Sequence, residues 1–293
     1  MFTRRRFNAA LGTAVGFLVA NRSAFASPSS PPFTEQMDQL EAKSGGRLGV
    51  AVLDTKDGSL LQHRGDERFP LCSTFKLLAA AAVLKGAGDD LAGLKRVVHY
   101  EKSDLVTYSP ETGKHAGAEG MTLAQICEAA VTLSDNTAGN LMLKNIGGPE
   151  GLTAFVRGLG DQVTRLDRIE PDLNEATPGD PRDTTSPNAM AATMKKLLLG
   201  GVLNEAARDQ LARWLIADKV GDARLRAGLP HSWRIGDKTG TGRLGTANDV
   251  AIIWPTSRPP LIVTVYLTGS TLDPAGQNDI VASIGRMIGT AFG

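Results

Sequence analysis

Three short stretches and one loop of this sequence carry side chains suited to nucleophilic acyl chemistry. In Ser73-Thr74-Phe75-Lys76 a hydroxyl and an amine stand three residues apart. On a helix that spacing puts both on one face. A serine hydroxyl is a weak nucleophile until a neighbouring base takes its proton, and an adjacent amine can serve. The free backbone N–H groups of a helix start also favour negative charge that develops beside them. Ser134-Asp135-Asn136 adds a second hydroxyl and a carboxamide. Lys238-Thr239-Gly240-Thr241 sets a cation and two hydroxyls around a glycine, whose missing side chain leaves room for a ligand. Such a group suits a carboxylate. Glu170-Pro171, with Asn174 after it, can hold a water and accept its proton.

Taken singly, each stretch also has a plain structural reading. A Ser-x-x-Lys pair arises about once by chance in a chain of this length. Ser, Asp and Asn all favour helix caps. A lysine on an edge strand discourages pairing with other sheets. A glutamate in a loop is ordinarily solvated.

The surrounding pattern indicates where these stretches must sit. Phe33 to Lys43 reads as a helix, with Phe33, Met37 and Leu40 on one face and Gly45-Gly46 ending it. Arg47 to Asp54 and Ser59 to Arg64 read as a hairpin turned at Asp57-Gly58. Beyond Pro70 the pattern turns helical. Thr74 to Lys85, a segment opened by a Thr122–Gln125 capping box, Asn136 to Asn145 and Pro149 to Leu159 are expected helices. Arg165 to Thr185 has no period and carries Pro171, Pro178, Gly179 and Pro181. Long ordered loops of that kind are usually functional. Ser186-Pro187 caps a further helix, and Asn204 to Ala217 is another. Strands return at Trp233 to Gly240, Asp249 to Trp254 and Leu261 to Thr268, before a last helix over Gln277 to Ala291.

Strands at both ends with helices between them imply an α+β fold. One antiparallel five-stranded sheet, built from both chain ends, is flanked by the terminal helices and carries an all-helical insertion. The expected division places 27–69 and 218–293 in an α/β part and 70–217 in an all-α part. A cleft between the two parts is where a small-molecule site would lie.

Composition narrows the class. Hydrophobic residues make up 42% and charged residues 22% of the chain, enough to bury a sizeable core. The formal net charge of +1 offers no field for nucleic acid. Arg4, Arg5, Arg6 and Arg22 lie in a leading segment without any Asp or Glu. That basic start, the apolar run from Ala9 to Ala20 and Ala24-Phe25-Ala26 read as a cleavable export signal over residues 1–26. The arginines before Phe7 resemble a twin-arginine signal. A mature, exported chain is expected to begin near Ser27, in the periplasm or outside the cell, without a membrane anchor. Cys72 and Cys127 read as buried free thiols, and His63, His99, His115 and His231 as structural residues without metal-ligand spacing. No metal or organic cofactor is called for, because Ser, Lys and Glu supply the nucleophile and bases. A monomer acting on a small molecule is expected.

Taken together, the motifs carry more than they do singly. Ser-x-x-Lys, Ser-Asp-Asn and Lys-Thr-Gly, in this order, mark class A serine β-lactamases and penicillin-binding proteins. The chain resembles class A serine β-lactamases across its mature length. Tyr108-Ser109-Pro110 is similar to the family's cleft-edge aromatic segment. Arg168 to Asp183 resembles its Ω-loop, whose ends are tied by an Arg–Asp pair and whose Glu-Pro peptide is often cis.

The resemblance implies roles. Ser73 attacks the lactam carbonyl, and Lys76 and Glu170 share the work of taking its proton. Ser134 passes a proton to the leaving nitrogen. Asn136 binds the substrate's side-chain amide. Lys238, Thr239 and Thr241 hold its carboxylate, with Gly240 leaving room. Backbone N–H groups of Ser73 and Thr241 form the oxyanion hole. Glu170 and Asn174 bind the water that frees Ser73. Thr241 beside Gly240 extends the implied substrates from penicillins to cephalosporins.

The sequence also departs from the family. Ala247 stands where many members carry an arginine for the carboxylate, and Arg224 is the substitute the resemblance offers, its alternative reading being a surface salt bridge. Gly242 stands where carbapenem-hydrolysing members often pair a cysteine with the one at Cys72, which argues against carbapenem activity. Cys127 resembles half of another family disulfide, whose partner position is Ala80 here. A penicillin-binding DD-peptidase shares the three motifs but not the Glu170 and Asn174 arrangement. A β-lactam-sensing module would keep Ser73 and need a membrane tether.

Overall fold

The computed structural model describes residues 32–293 other than Ala118. The export signal expected over residues 1–26 lies outside the described residues. Helix α1 (Phe33–Ser44) buries Met37 and stops at Gly45, whose φ of 67° supplies the left-handed cap. Strands β1 (Arg47–Asp54) and β2 (Leu60–His63) form the expected hairpin. A two-residue strand, β3 (Phe69–Pro70), leads through a 3₁₀ turn at Cys72–Thr74 into α2 (Phe75–Gly86). Next come β4 (Val97–Val98), α3 (Thr112–His115) and β5 (Met121–Thr122). Helix α4 (Leu123–Thr132) opens on the Thr122–Gln125 capping box. Asp135 caps α5 (Asn136–Asn145), and α6 (Gly148–Gly158) follows directly. After the long loop, β6 (Thr184–Thr185) pairs with β3. Ser186 caps α7 (Pro187–Leu198), Asn204 caps α8 (Glu205–Ile216), and the short α9 (Leu225–Gly228) precedes the last strands. These are β7 (Arg234–Gly242), β8 (Thr246–Trp254) and β9 (Leu261–Thr268), closed by α10 (Pro274–Phe292).

The sheet runs β2-β1-β9-β8-β7, antiparallel throughout. β1 comes from the start of the chain and zips along the whole of β9, from Arg47 opposite Thr268 to Asp54 opposite Leu261. Alternation along the strands sends side chains to two cores. Val50, Val52, Val263 and Val265 pack with Met37 of α1 and with Ile280 and Ile284 of α10. Ala51, Ile252, Ile262 and Tyr266 join the other core, with α2, α4, α5, α7 and α8.

Helix α2 is buried nearly all round, from Phe75 to Ala81 and again at Val83 and Leu84. A helix apolar on every face belongs inside. Each fully buried leucine on it contributes about 2 kcal/mol. Ser73-Thr74-Phe75-Lys76 is thereby anchored to a deeply packed helix.

Two boundaries differ from expectation by three residues. β8 begins at Thr246, before Asp249, because Thr246, Ala247 and Asn248 pair with Gly242, Thr241 and Gly240. Their polar and small side chains hide a strand that is buried all the same. α10 begins at Pro274 on an Asp273 cap, ahead of Gln277. The short elements α3, α9 and the pairs β3–β6 and β4–β5 are too brief to carry a period.

Candidate active site

Ser73 sits in the 3₁₀ turn that feeds α2, after Cys72 at a φ of 44°. A positive φ at a residue with a side chain stores local strain, which such sites concentrate. Lys76, one turn on, donates to Ser73 Oγ at 3.0 Å, Ser134 O at 2.8 Å and Asn136 Oδ1 at 2.7 Å. Its ammonium also lies 3.0 Å from Glu170 Oε1. Burial lowers the Lys76 pKa, and the charge of Glu170 opposes that shift. The lysine stem passes α5 at Gly139, where a Cβ would stand 2.8 Å from Lys76 Cε.

Glu170 is buried as well, and Ser73 Oγ donates to its Oε1 at 3.4 Å. Asn174 Nδ2 donates to Glu170 Oε2 at 2.5 Å, and the peptide before Pro171 is cis. The serine hydroxyl, the amine and the carboxylate therefore form one connected network.

Ser134 and Tyr108 both adopt positive φ, 58° and 67°. The two strained turns meet, since Asn136 N donates to Tyr108 O at 2.9 Å. Tyr108 is 54% exposed, at the rim. Ser73, Tyr108, Ser134, Asn136, Asn174, Val220, Arg224, Thr239 and Thr241 line one cleft of about 330 Å³.

On the sheet side, β7 brings up Lys238, Thr239, Gly240 and Thr241 in sequence. Lys238 is fully buried and donates to Thr239 O at 3.1 Å. Gly240 lies against the turn that carries Ser73, where a Cβ would be 3.0 Å from Leu71 O. Arg224 is buried, not a surface ion-pair residue. It donates to Thr241 Oγ1 at 2.7 Å, Gly240 O at 2.8 Å and Asn248 O at 2.6 Å. Ala247 stands opposite Thr241 in the sheet. The Arg224 guanidinium thus reaches the hydroxyl of the residue that faces Ala247.

The long loop is tied at its ends. Asp183 accepts from Arg168 Nε at 2.6 Å and from the backbone N–H of Asp167 and Arg168 at 2.8 and 2.9 Å. Asn140 pins its first part, accepting from Glu170 N at 2.9 Å and donating to Glu170 O at 3.0 Å. Sequence reasoning missed Asn140. Its position four residues after Asn136 on α5 was the available signal. Val220 and the buried Asp218 were missed too, and no pattern marks them.

Cys72 and Cys127 are free and buried. A Cβ on Gly242 would stand 2.6 Å from Cys72 Sγ, so a side chain there would press on the thiol. Among the described residues no His, Cys, Asp or Glu cluster is arranged to hold a metal ion, and no helix is long and apolar enough to cross a membrane.

Comparison with known proteins gives the same answer by another route. A model described as the Beta-lactamase enzyme family matches residues 32–292. Beta-lactamase CTX-M-97 of Escherichia coli is 50% identical over 258 residues, 88% of either chain. Beta-lactamase OXY-1 of Klebsiella oxytoca is 47% identical over 275 residues, 94% of either chain. A solved structure of an ancestral (GNCA) class A beta-lactamase aligns with a TM-score of 0.86 and 61% identity, covering 88% of this chain and 99% of that one. With the family model spanning the whole described region, this chain belongs to the beta-lactamase family, in its class A branch.

Proposed function

We propose that the cleft hydrolyses the β-lactam ring of penicillins and cephalosporins through an acyl-Ser73 intermediate, conferring resistance to them. The observation that carries this reading is the buried network of Ser73, Lys76 and Glu170, extended by Asn174. Ser73 Oγ attacks the lactam carbonyl carbon as its proton passes to the Lys76–Glu170 pair. Backbone N–H groups of Ser73 and Thr241 hold the oxyanion. The C–N bond breaks, and Ser134 gives the leaving nitrogen a proton. Asn136 binds the side-chain amide, and Tyr108 flanks the substrate at the rim. Lys238, Thr239, Thr241 and Arg224 hold the carboxylate. A water held beside Glu170 and Asn174 then loses a proton to Glu170, attacks the acyl carbon and restores the Ser73 hydroxyl.

The Glu170 and Asn174 arrangement favours a hydrolase over a DD-peptidase, which acylates on the same three motifs and lacks this water site. The two-part division at residues 70 and 217 supplies the walls of the cleft. Residues 1–26, basic and then apolar, support export to the periplasm by a twin-arginine route. The direct test is hydrolysis of nitrocefin by residues 27–293. Sustained turnover that Ser73→Ala abolishes establishes the reading. One stoichiometric burst without turnover would instead favour a penicillin-binding or sensing protein.

A further inference from the structure

Three buried aspartates lie within electrostatic reach of Lys238: Asp218 after α8, Asp237 in β7 and Asp249 in β8. A buried carboxylate is costly unless each oxygen finds a partner. Asp237 Oδ1 takes Arg226 Nε at 2.6 Å, Asp249 Oδ2 takes Leu225 N at 3.1 Å, and Asp218 Oδ1 takes Val220 N at 3.3 Å. Asp218 Oδ2, Asp237 Oδ2 and Asp249 Oδ1 are buried without a donor. The first two face the same small space. A Cβ built on Gly221 would lie 2.0 Å from Asp237 Oδ2 and 2.6 Å from Asp218 Oδ2. Two bare carboxylate oxygens so placed repel each other, and one proton between them gives both a partner.

We propose that Asp218 and Asp237 hold one proton between their Oδ2 atoms and release it as the pH rises, so that the added negative charge keeps Lys238 an ammonium. The pair are positioning residues acting through Lys238, and the inference rests on reading Lys238 as part of the substrate-carboxylate site. Burial pushes the Asp237 carboxyl up to about 7, helped by the charge of Asp249 and opposed by Arg226 and Lys238. Burial also raises Asp218, against the pull of Lys238 and with Asp237 adding to the rise. Lys238 is lowered by burial and by Lys76 across the cleft, and Asp218 is the largest charge holding it up, ahead of Asp237 and Asp249. Arg224 and Arg226 add fixed positive charge from α9 and its cap. With one shared proton these groups remain net positive, as an anionic substrate requires. When the proton leaves, the pair carries two charges and raises the affinity of Lys238 for its own proton.

Infrared spectroscopy of the mature enzyme at about pH 7 reads the proton directly. A carboxylic-acid C=O band that shifts in D₂O is expected in wild type and in Asp249→Asn, and is expected to vanish in Asp218→Asn and Asp237→Asn. The wild-type band does not depend on any variant folding, and its absence overturns the shared proton. The second readout is KM for a carboxylate-bearing substrate against pH. In Asp218→Asn the alkaline rise in KM is expected about one pH unit lower than in wild type, because Lys238 loses its largest negative neighbour. An unmoved rise overturns the link to Lys238. Lys238→Gln, measured alongside, separates the two readings. If its KM does not increase, the assignment of Lys238 to the carboxylate fails, whatever the infrared band shows.

Discussion

Lys76 Nζ stands 3.0 Å from Glu170 Oε1, with neither side chain exposed to solvent. Removing one member of a buried ion pair strands the other. The two residues also play different parts in the proposed cycle, because only Glu170 shares a bond with Asn174. Glu170→Ala is therefore expected to keep a measurable acylation step and to slow deacylation by about 10³-fold, within the range of general-base catalysis. Intact-protein mass spectrometry after brief exposure to a penicillin should find acylated Ser73. Acylation and deacylation slowed equally would remove the special role of Glu170.

Arg224 spends two hydrogen bonds on backbone carbonyls of β7 and β8, one on Asn278 Oδ1 of α10 and one on Thr241 Oγ1. It therefore anchors the strand and supplies charge together. Arg224→Ala is expected to raise KM about tenfold, the worth of one charge-assisted hydrogen bond, with a smaller change in kcat. The check is steady-state kinetics with a substrate and its carboxylate ester. The penalty should shrink for the ester, and an equal penalty would reduce Arg224 to a strand anchor.

Asp183 closes the long loop with its own side chain and holds a left-handed φ of 55°. Asp183→Ala leaves the Arg168 guanidinium with Glu175 as its one carboxylate and strands two backbone N–H groups. A loss of about 3 kcal/mol in stability is expected. Hydrogen exchange should rise most over residues 168–183, carrying Glu170 out of position and lowering kcat more than it raises KM. Uniform exchange across the chain would show a global effect only.

Glu41 docks α1 on the sheet. The Arg64 guanidinium, at 2.6 and 2.7 Å, pulls its carboxyl from 4.5 down to about 2 against the cost of burial, and Leu48 N and His63 assist. A folded-state pKa below the unfolded value stabilises the fold above the unfolded pKa. That contribution is lost as pH falls through the folded value. Glu41→Gln should thus cost about 1 kcal/mol at neutral pH, a cost that shrinks between the unfolded and folded values and is gone only below pH about 2. Urea midpoints of the two proteins across that range check the sign. A gap that widens toward acid would contradict it.

Local spacing determined much of this molecule. Ser73 and Lys76 share a helix face because they are three residues apart, and Thr122, Ser186 and Asn204 cap helices because their side chains satisfy nearby N–H groups. The apolar runs of β1 and β9 named their strands, since alternation and turn residues act over a few positions. The order of the motifs along the chain was likewise enough to point to a family. What the tertiary structure decided lies between residues far apart in sequence. The Lys76–Glu170 contact exists because the core seats α2 and Asp183 closes the loop over it. Arg224 faces Thr241, and Asp218 faces Asp237, only because the turns after α8 pack against β7. Such contacts follow from how whole elements pack, and no short window of sequence records that geometry.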